Sequence, residues 1–503
     1  MKKIGASLMF AAALSAAAVA QTNAPAARTL SLPDCLAEAL KHNFDVQVER
    51  YEPQKSLLSL NAAYAGYDPL LTLGAGHSHN DEGVGSVYRT ITDGNDFSAG
   101  ISGATPWGMT YNLGGNSMGR PASISEQYGY TGLGTNLMST DSSGGQVGVN
   151  GRQPLLKDFW IDGTRLSIRA AKNQVKLSEQ GLRQQLITTV TAVENAYYEL
   201  IFARDNVKVQ QQALNLAQTQ LDDDRKRVEI KVLAERGGTI EQDEAQVAQS
   251  RASLIAAQFT LAADENALKN LITDNYLQWH DVVLEPATTL EAVRQLFDVQ
   301  DSWSKGLSQR PDLVQAKLNL EQQGIQLKYD RNQIFPQLDL TGSYGYNGAG
   351  REFHDTFNQF GTANRPFYSY GVALSVPLSN AKARNSFKAD KTTEQQYLLR
   401  LKQLEQSVMV QIDNAVKQAQ SAWESVDATQ KARTYAEAAL SAEQGKYAVG
   451  KSTTFTVLQL QNNLTSARSQ EIRALANYNE ALANLALQEG STLQRHKLDV
   501  QVK

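Results

Sequence analysis

A single cysteine, Cys35 in "LPDC", leaves the 503-residue chain without an intramolecular disulfide or a multi-cysteine metal site. Excess charge is lacking as well: a net charge of -4 and a pI near 6.0 give no global attraction to nucleic acid or anionic lipid. Past the N-terminus no run of 18 apolar residues occurs, which excludes a transmembrane helix. No nucleophile elbow, zincin motif or other catalytic constellation is found, so no enzyme, no cofactor and no metal site is expected. Proline is missing between Pro154 and Pro286 and again after Pro377, whereas 18 of the 35 glycines fall between Gly74 and Gly151. The chain therefore alternates glycine-rich β-like blocks with long helical ones.

What is present begins with "MKKIGASLMFAAALSAAAVA". Lys2 and Lys3, an apolar run and Ala18-Val19-Ala20 have the layout of a secretory signal peptide, 1–20. An exported chain without a spanning helix is either soluble or a β-barrel.

The first helical block shows a heptad seam, Leu186, Val193, Leu200, Val207, Leu214, Leu221 and Val228, with small partners at Ala196, Ala203 and Ala217. Such a helix spans roughly 100 Å at 1.5 Å per residue. A second block repeats the pattern more weakly through Val408, Ala415, Ala422 and Ala436, beside Ile412, Ala419, Val426, Leu440 and Tyr447. Pro69, Leu71 and Leu73 fall onto Pro336, Leu338 and Leu340 at one constant offset, "QPLL" (153–156) matches "VPLS" (376–379), and "VENA" (193–196) matches "IDNA" (412–415). This reads as an internal duplication. The first repeat, 21–285, would hold a helix, a β block at 67–154 and a long helical hairpin at 165–272. The second, 286–503, would hold a helix at 302–333, a β block at 336–378, a long helical hairpin at 384–487 and a C-terminal tail.

In "YSYGVALSVPL", Tyr368, Tyr370, Val372, Leu374, Val376 and Leu378 alternate with Ser369, Gly371, Ala373 and Ser375. That is the apolar-out, small-polar-in pattern of a membrane barrel strand, and equally of a soluble sheet with one buried face. A membrane strand takes about 9–11 residues, so the 41 residues from Pro336 to Pro377 fit two strands and a loop. The 85 residues from Pro69 to Pro154 fit two strands with a long loop, or include a further hairpin around "TPWGMTYNLGG" (105–115). Two or three strand pairs cannot close a barrel alone, and open edges are not tolerated in lipid, so a barrel would have to be shared between copies.

The opening "LSLPDCLAEALKHNFDV" (30–46), its counterpart at 308–340, the two "PL" strand ends and the tip "YAVGKSTTFTVLQLQNNLTSAR" (447–468) together resemble the TolC-like outer-membrane efflux protein family. The resemblance covers almost the whole mature chain. It implies a membrane α+β fold: a trimeric shared transmembrane β-barrel, four strands per subunit, continuous with a long periplasmic α-helical coiled-coil barrel. It implies a Gram-negative outer-membrane exit duct of a tripartite efflux pump or type I secretion system, with outer-membrane lipid, a periplasmic adaptor and an inner-membrane transporter as partners and no nucleic acid. The alternative is a periplasmic coiled-coil scaffold or adaptor without a channel.

In the family the tip after the "YxVG" turn often carries aspartates at the periplasmic entrance; here those positions read Thr456 and Gln459, and acidic groups sit instead at Glu241, Asp243 and Glu244. The same resemblance makes Val449, Gly450 and Lys451 the adaptor-contact candidates, though Gly450 is equally a helix-ending glycine. "GKYAVGKS" (445–452) fits the phosphate-loop pattern letter for letter, but a helical stretch precedes it where that loop needs a strand. His77 and His79 share one strand face, and two ligands without a third do not make a metal site.

Overall fold

The structure, a computed structural model, describes residues 27–84, 88–114, 122–133, 136–229 and 239–498. The expected signal peptide lies outside the described residues. Along the chain come β1 (Ala27–Leu30), α1 (Leu32–His42), α2 (Phe44–Glu49), α3 (Tyr51–Tyr64) and the first β block, β2 (Leu70–Val84), β3 (Tyr88–Ala104), β4 (Thr110–Leu113), β5 (Ala122–Leu133) and β6 (Asn136–Pro154). After the helices α4 (Gly163–Glu229), α5 (Thr239–Ile272) and α6 (Tyr276–Trp279) come β7 (Val283–Pro286), α7 (Val299–Gln309) and α8 (Pro311–Gln333). The second β block, β8 (Gln337–Gly350), α9 (Phe353–Thr362) and β9 (Pro366–Ser375), leads into α10 (Ala381–Ala448), α11 (Thr454–Glu489) and α12 (Thr492–Arg495). Among the described residues no helix is long and apolar enough to cross a membrane. The chain divides into two compact units, one of residues 1–43, 192–292 and 425–480, the other of residues 44–191, 293–424 and 481–503.

The second unit contains an antiparallel sheet in the order β2, β3, β4 with β5, β6, β8, β9. β4 pairs with Ile101–Ala104 of β3 and β5 with Tyr88–Ala99, and both also pair with β6, so the two short strands occupy one slot in succession. The sheet thus has six crossings, four of them from the first block, where the resemblance implies four per chain in all. The turn that makes the further hairpin possible is Thr105–Met109. The Thr105 N–H donates to the Met109 carbonyl at 2.8 Å, the Met109 N–H to Thr105 Oγ1 at 3.1 Å, and Gly108 N–H to the Thr105 carbonyl at 2.9 Å. Gly108 has φ +89°, and a Cβ there would lie 2.5 Å from Arg165 Nη2, so the turn favours glycine and any side chain there is strained.

Side chains directly opposite one another share a face. Leu71, Ile101, Leu113, Val149, Tyr344 and Tyr368 form one unbroken cross-strand row over all six crossings. All six are exposed, from 40% at Ile101 and Val149 to 74% at Tyr368. The next row, on the opposite face, reads Leu70, Ser102, Asn112, Asn150, Ser343 and Ser369, polar on every crossing but β2. The loop expected between the two strands of the second block contains α9, whose Thr356 hydroxyl donates to Ser143 Oγ at 2.8 Å.

The helix expected at 302–333 is two helices, because Pro311 keeps Arg310 extended at φ -63°, ψ 124° and opens α8 at its first position. Arg310 bridges the break with a forked pair to Asp312, at 3.0 and 2.7 Å. Leu313 of α8 packs with Val408, Ile412 and Val416 of α10 and Leu485 of α11, flanked by Trp303 and Leu307 of α7.

In the first unit β1 and β7 pair in parallel, Leu30 opposite Pro286. Two strands do not hold alone, and α4 ties them down. The buried Tyr197 hydroxyl donates to the Leu30 carbonyl at 3.2 Å, while Arg204 reaches the Leu284 carbonyl at 2.9 Å and Glu285 at 2.6 Å. Cys35 is wholly buried beside them, and that burial raises its thiol to about 12, so it stays a neutral apolar filler.

Candidate functional site at the helix tips

The site lies in the first unit, where the end of α4, the start of α5, the end of α10 and the start of α11 meet. The heptad seam brings Leu214 and Leu221 of α4 into the buried interior. Leu440 and Tyr447 of α10 and Val457 and Leu464 of α11 form a second cluster. Tyr447 occupies a seam position, so its ring is buried and its hydroxyl needs a partner. That partner is Asp224, fully buried on α4, at 2.7 Å. Thr454 Oγ1 donates to the other oxygen of Asp224 at 3.2 Å, Gln220 Nε2 donates to it at 2.9 Å, and the Tyr447 and Thr454 hydroxyls lie 2.9 Å apart. Arg227 stacks over the Tyr447 ring, 4.9 Å from its centroid. One carboxylate on the first hairpin thus gathers hydroxyls from both helices of the second.

Asp243 of α5 is fully buried beside this carboxylate. Burial first, and then the neighbouring Asp224 charge, push it up to about 7, so the pair holds a proton well above ordinary carboxylate range. Burial likewise raises the Tyr447 hydroxyl to about 12, which keeps it a hydrogen-bond donor.

The three acidic entrance candidates do not share a face. Glu241 and Glu244 are exposed on one side of α5, and Glu244 pairs with Arg225 at 2.7 Å, while Asp243 turns into the interior. Thr456 is half-buried and spent on the helix start, its hydroxyl 3.0 Å from that of Thr453; Gln459 is exposed.

Val449, Gly450 and Lys451 lie together, exposed, on the turn from α10 to α11. The Lys451 N–H donates to the Lys446 carbonyl at 2.9 Å and Gly450 N–H to that of Tyr447 at 3.0 Å, with Gly450 at φ +74°. This is a Schellman turn. It closes a helix, where a phosphate loop would open one, and its amides are spent on carbonyls. His77 and His79 point across the ladder to Asn95 at 2.9 Å and Asp93 at 2.6 Å. Among the described residues no group of three or more His, Cys, Asp or Glu side chains could hold a metal ion.

Sequence reasoning missed Asp224 and Thr454. The available signal was Tyr447, an aromatic with a polar end at an apolar seam position.

A sheet with a lipid-like face and long helices joined at polar tips defines the architecture of an outer-membrane channel protein. Residues 35–273 and 303–491 match the outer membrane efflux protein family, and the chain belongs to it. It is a TolC-like protein of the Gram-negative outer membrane with helices extending into the periplasm, in a family of channels rather than enzymes. Similar proteins include the pyoverdine export outer membrane protein OpmQ of Pseudomonas aeruginosa, 26% identical over 63% of this chain and 64% of its own. The outer membrane efflux protein BepC of Brucella suis is 24% identical over 66% of this chain and 68% of its own. These matches thus span about two thirds of the relatives' lengths. In fold, the outer membrane protein VceC of Vibrio cholerae superposes with a TM-score of 0.66 at 17% identity, over 91% of this chain and 96% of that one.

Proposed function

We propose that the chain is one subunit of a trimeric outer-membrane duct that passively passes cargo delivered by a periplasmic adaptor and an inner-membrane transporter, in a tripartite efflux pump or type I secretion system. Two repeats, 21–285 and 286–503, each give strands to a barrel shared among copies and a helical hairpin to a periplasmic tunnel. The observation that carries the reading is the exposed apolar row across the whole sheet, backed on the other face by a row that is polar on five of the six crossings, as a wall between lipid and water requires. A soluble scaffold would have to bury that row, and the long helices alone do not distinguish the two readings.

In this duct the Asp224, Tyr447 and Thr454 clasp ties the two hairpins of a subunit together at the entrance. Glu241 and Glu244 supply the acidic charge facing water, and the exposed Val449, Gly450 and Lys451 turn meets the adaptor. Extraction and conductance test the reading together. The mature chain should stay in the outer-membrane fraction until detergent is added, and should then form ion-conducting pores in planar bilayers. Recovery from the periplasm without detergent overturns it in favour of the scaffold.

A further inference from the structure

Resting on the shared-barrel reading above, we propose that the further hairpin of the first β block, β3 with β4 and β5, is part of the membrane wall itself. Each chain then lends six strands, and three copies close an eighteen-stranded barrel in outer-membrane lipid.

Pairing is the first argument. A wall built from four strands per chain would have to join β2 directly to β6. β2 has its full length, Leu70 to Val84, in register with β3, whereas β6 is paired on one side with β4 and β5 and on the other with β8. Removing the hairpin from the wall would therefore strip β2 of its neighbour and open two rows of backbone groups to lipid, which has no hydrogen bonds to offer them.

Surface chemistry is the second argument. Ile101 and Leu113 belong to the further hairpin, and they continue the apolar row from Leu71 to Val149 without a gap. Ser102 and Asn112 continue the polar row of Asn150, Ser343 and Ser369 through the further hairpin, up to Leu70 on β2. A flap outside the membrane has no need of that alternation, whereas a wall strand requires it.

Length and direction agree. β2 and β3 have 15 and 17 residues and β6 has 19, beyond the roughly 9–11 that a tilted strand needs to cross. β2 and β9, the outer edges of the sheet among the described residues, run in opposite directions. The β9 edge of one copy therefore meets the β2 edge of the next antiparallel at every junction. Because diameter grows about linearly with strand number, eighteen strands give an exit roughly half as wide again as twelve, in the range where barrels hold an aqueous channel.

The test uses full-length protein in phospholipid vesicles containing brominated lipid, with single cysteines at Ile101→Cys, Leu113→Cys, Tyr370→Cys and Ser102→Cys, each carrying a polarity-sensitive fluorophore. Cys35 is wholly buried and should stay unlabelled in the unsubstituted protein. The expected result is quenching by brominated lipid at positions 101, 113 and 370, several-fold stronger than at position 102, which aqueous iodide quenches instead. If position 370 reports lipid while 101 and 113 report water, the eighteen-strand wall is overturned and the shared barrel stands; if 370 also reports water, the shared barrel falls as well. A single-particle map of the unsubstituted protein gives an independent reading, eighteen strands supporting the proposal and twelve overturning it.

Discussion

Both β blocks start one residue after a proline, Leu70 after Pro69 and Gln337 after Pro336, and both lead into a proline-leucine pair, yet they are built differently between those marks. The second is one hairpin with a helix between its strands. The first makes four crossings and turns back through a glycine at positive φ, where any side chain is strained. The helix tips differ in the same sense: the first hairpin brings buried acid, Asp224 and Asp243, and the second brings hydroxyls, Tyr447 and Thr454. Similar frames have been filled with complementary chemistry, so each half is completed by something only the other provides.

Breaking the clasp from the hydroxyl side should have the largest effect. Tyr447→Phe keeps the ring under Arg227 and removes the donor to a buried carboxylate, a loss of about 1.5–3 kcal/mol. Hydrogen exchange over residues 440–448 should accelerate accordingly, with larger single-channel conductance; unchanged exchange would mean that the two tips are held by apolar packing alone.

Next in size is the contrast between glycines of the two β blocks. Gly108→Ala forces a side chain into positive φ against Arg165 and should cost about 1–2 kcal/mol. Gly361, on α9 of the second block, faces open space, and alanine there should be neutral or stabilising by up to about 1 kcal/mol, as in any helix. Chemical denaturation in detergent separates the two, and equal effects would remove the asymmetry.

Asp243→Asn should act with the opposite sign to Tyr447→Phe. The folded tip holds the Asp243 proton up to about pH 7, against 3.8 for an ordinary aspartate. The stability it contributes is therefore complete below about pH 4 and is lost as pH rises to about 7. Asparagine carries no such penalty, so at pH 8 exchange in the tip should slow by about tenfold, equivalent to about 1.4 kcal/mol, with little difference from wild type at pH 4. A variant that loosens the tip at both pH values would show that the carboxylate is held ionised.

The smallest effect belongs to the exposed acids. Glu241→Gln with Glu244→Gln should lower cation preference by at most about twofold at low salt and by nothing measurable at 1 M, where screening is complete within about 3 Å.

How much of this was legible follows from where the signals are local. The change at Pro336 from helix to alternating strand was readable because proline stops the one and Leu338, Leu340, Tyr344 and Tyr346 mark the other. The strand count of the first block was not, because glycine and serine blur the alternation and one crossing is assembled from two separate pieces. The break at Arg310 was available in the proline that follows it but was outweighed by the helical pattern on both sides. At the tip, Glu241, Asp243 and Glu244 read as one acidic cluster, although the 3.6-residue period sets Asp243 on another side of the helix. Its partner, Asp224, is 19 residues away in sequence and on another helix, beyond the reach of any local pattern.

The Thr105–Met109 turn has one further consequence, for how such a chain can change. A strand added singly to either block would bring the backbone out on the far side of the membrane, and every helix after it would fold in the wrong compartment. A pair of strands joined by one tight turn returns the chain to the side it left, and nothing downstream has to be redesigned. In the proposed shared barrel the width can therefore grow only in steps of a hairpin per subunit, and Gly108 is the residue on which this step would close.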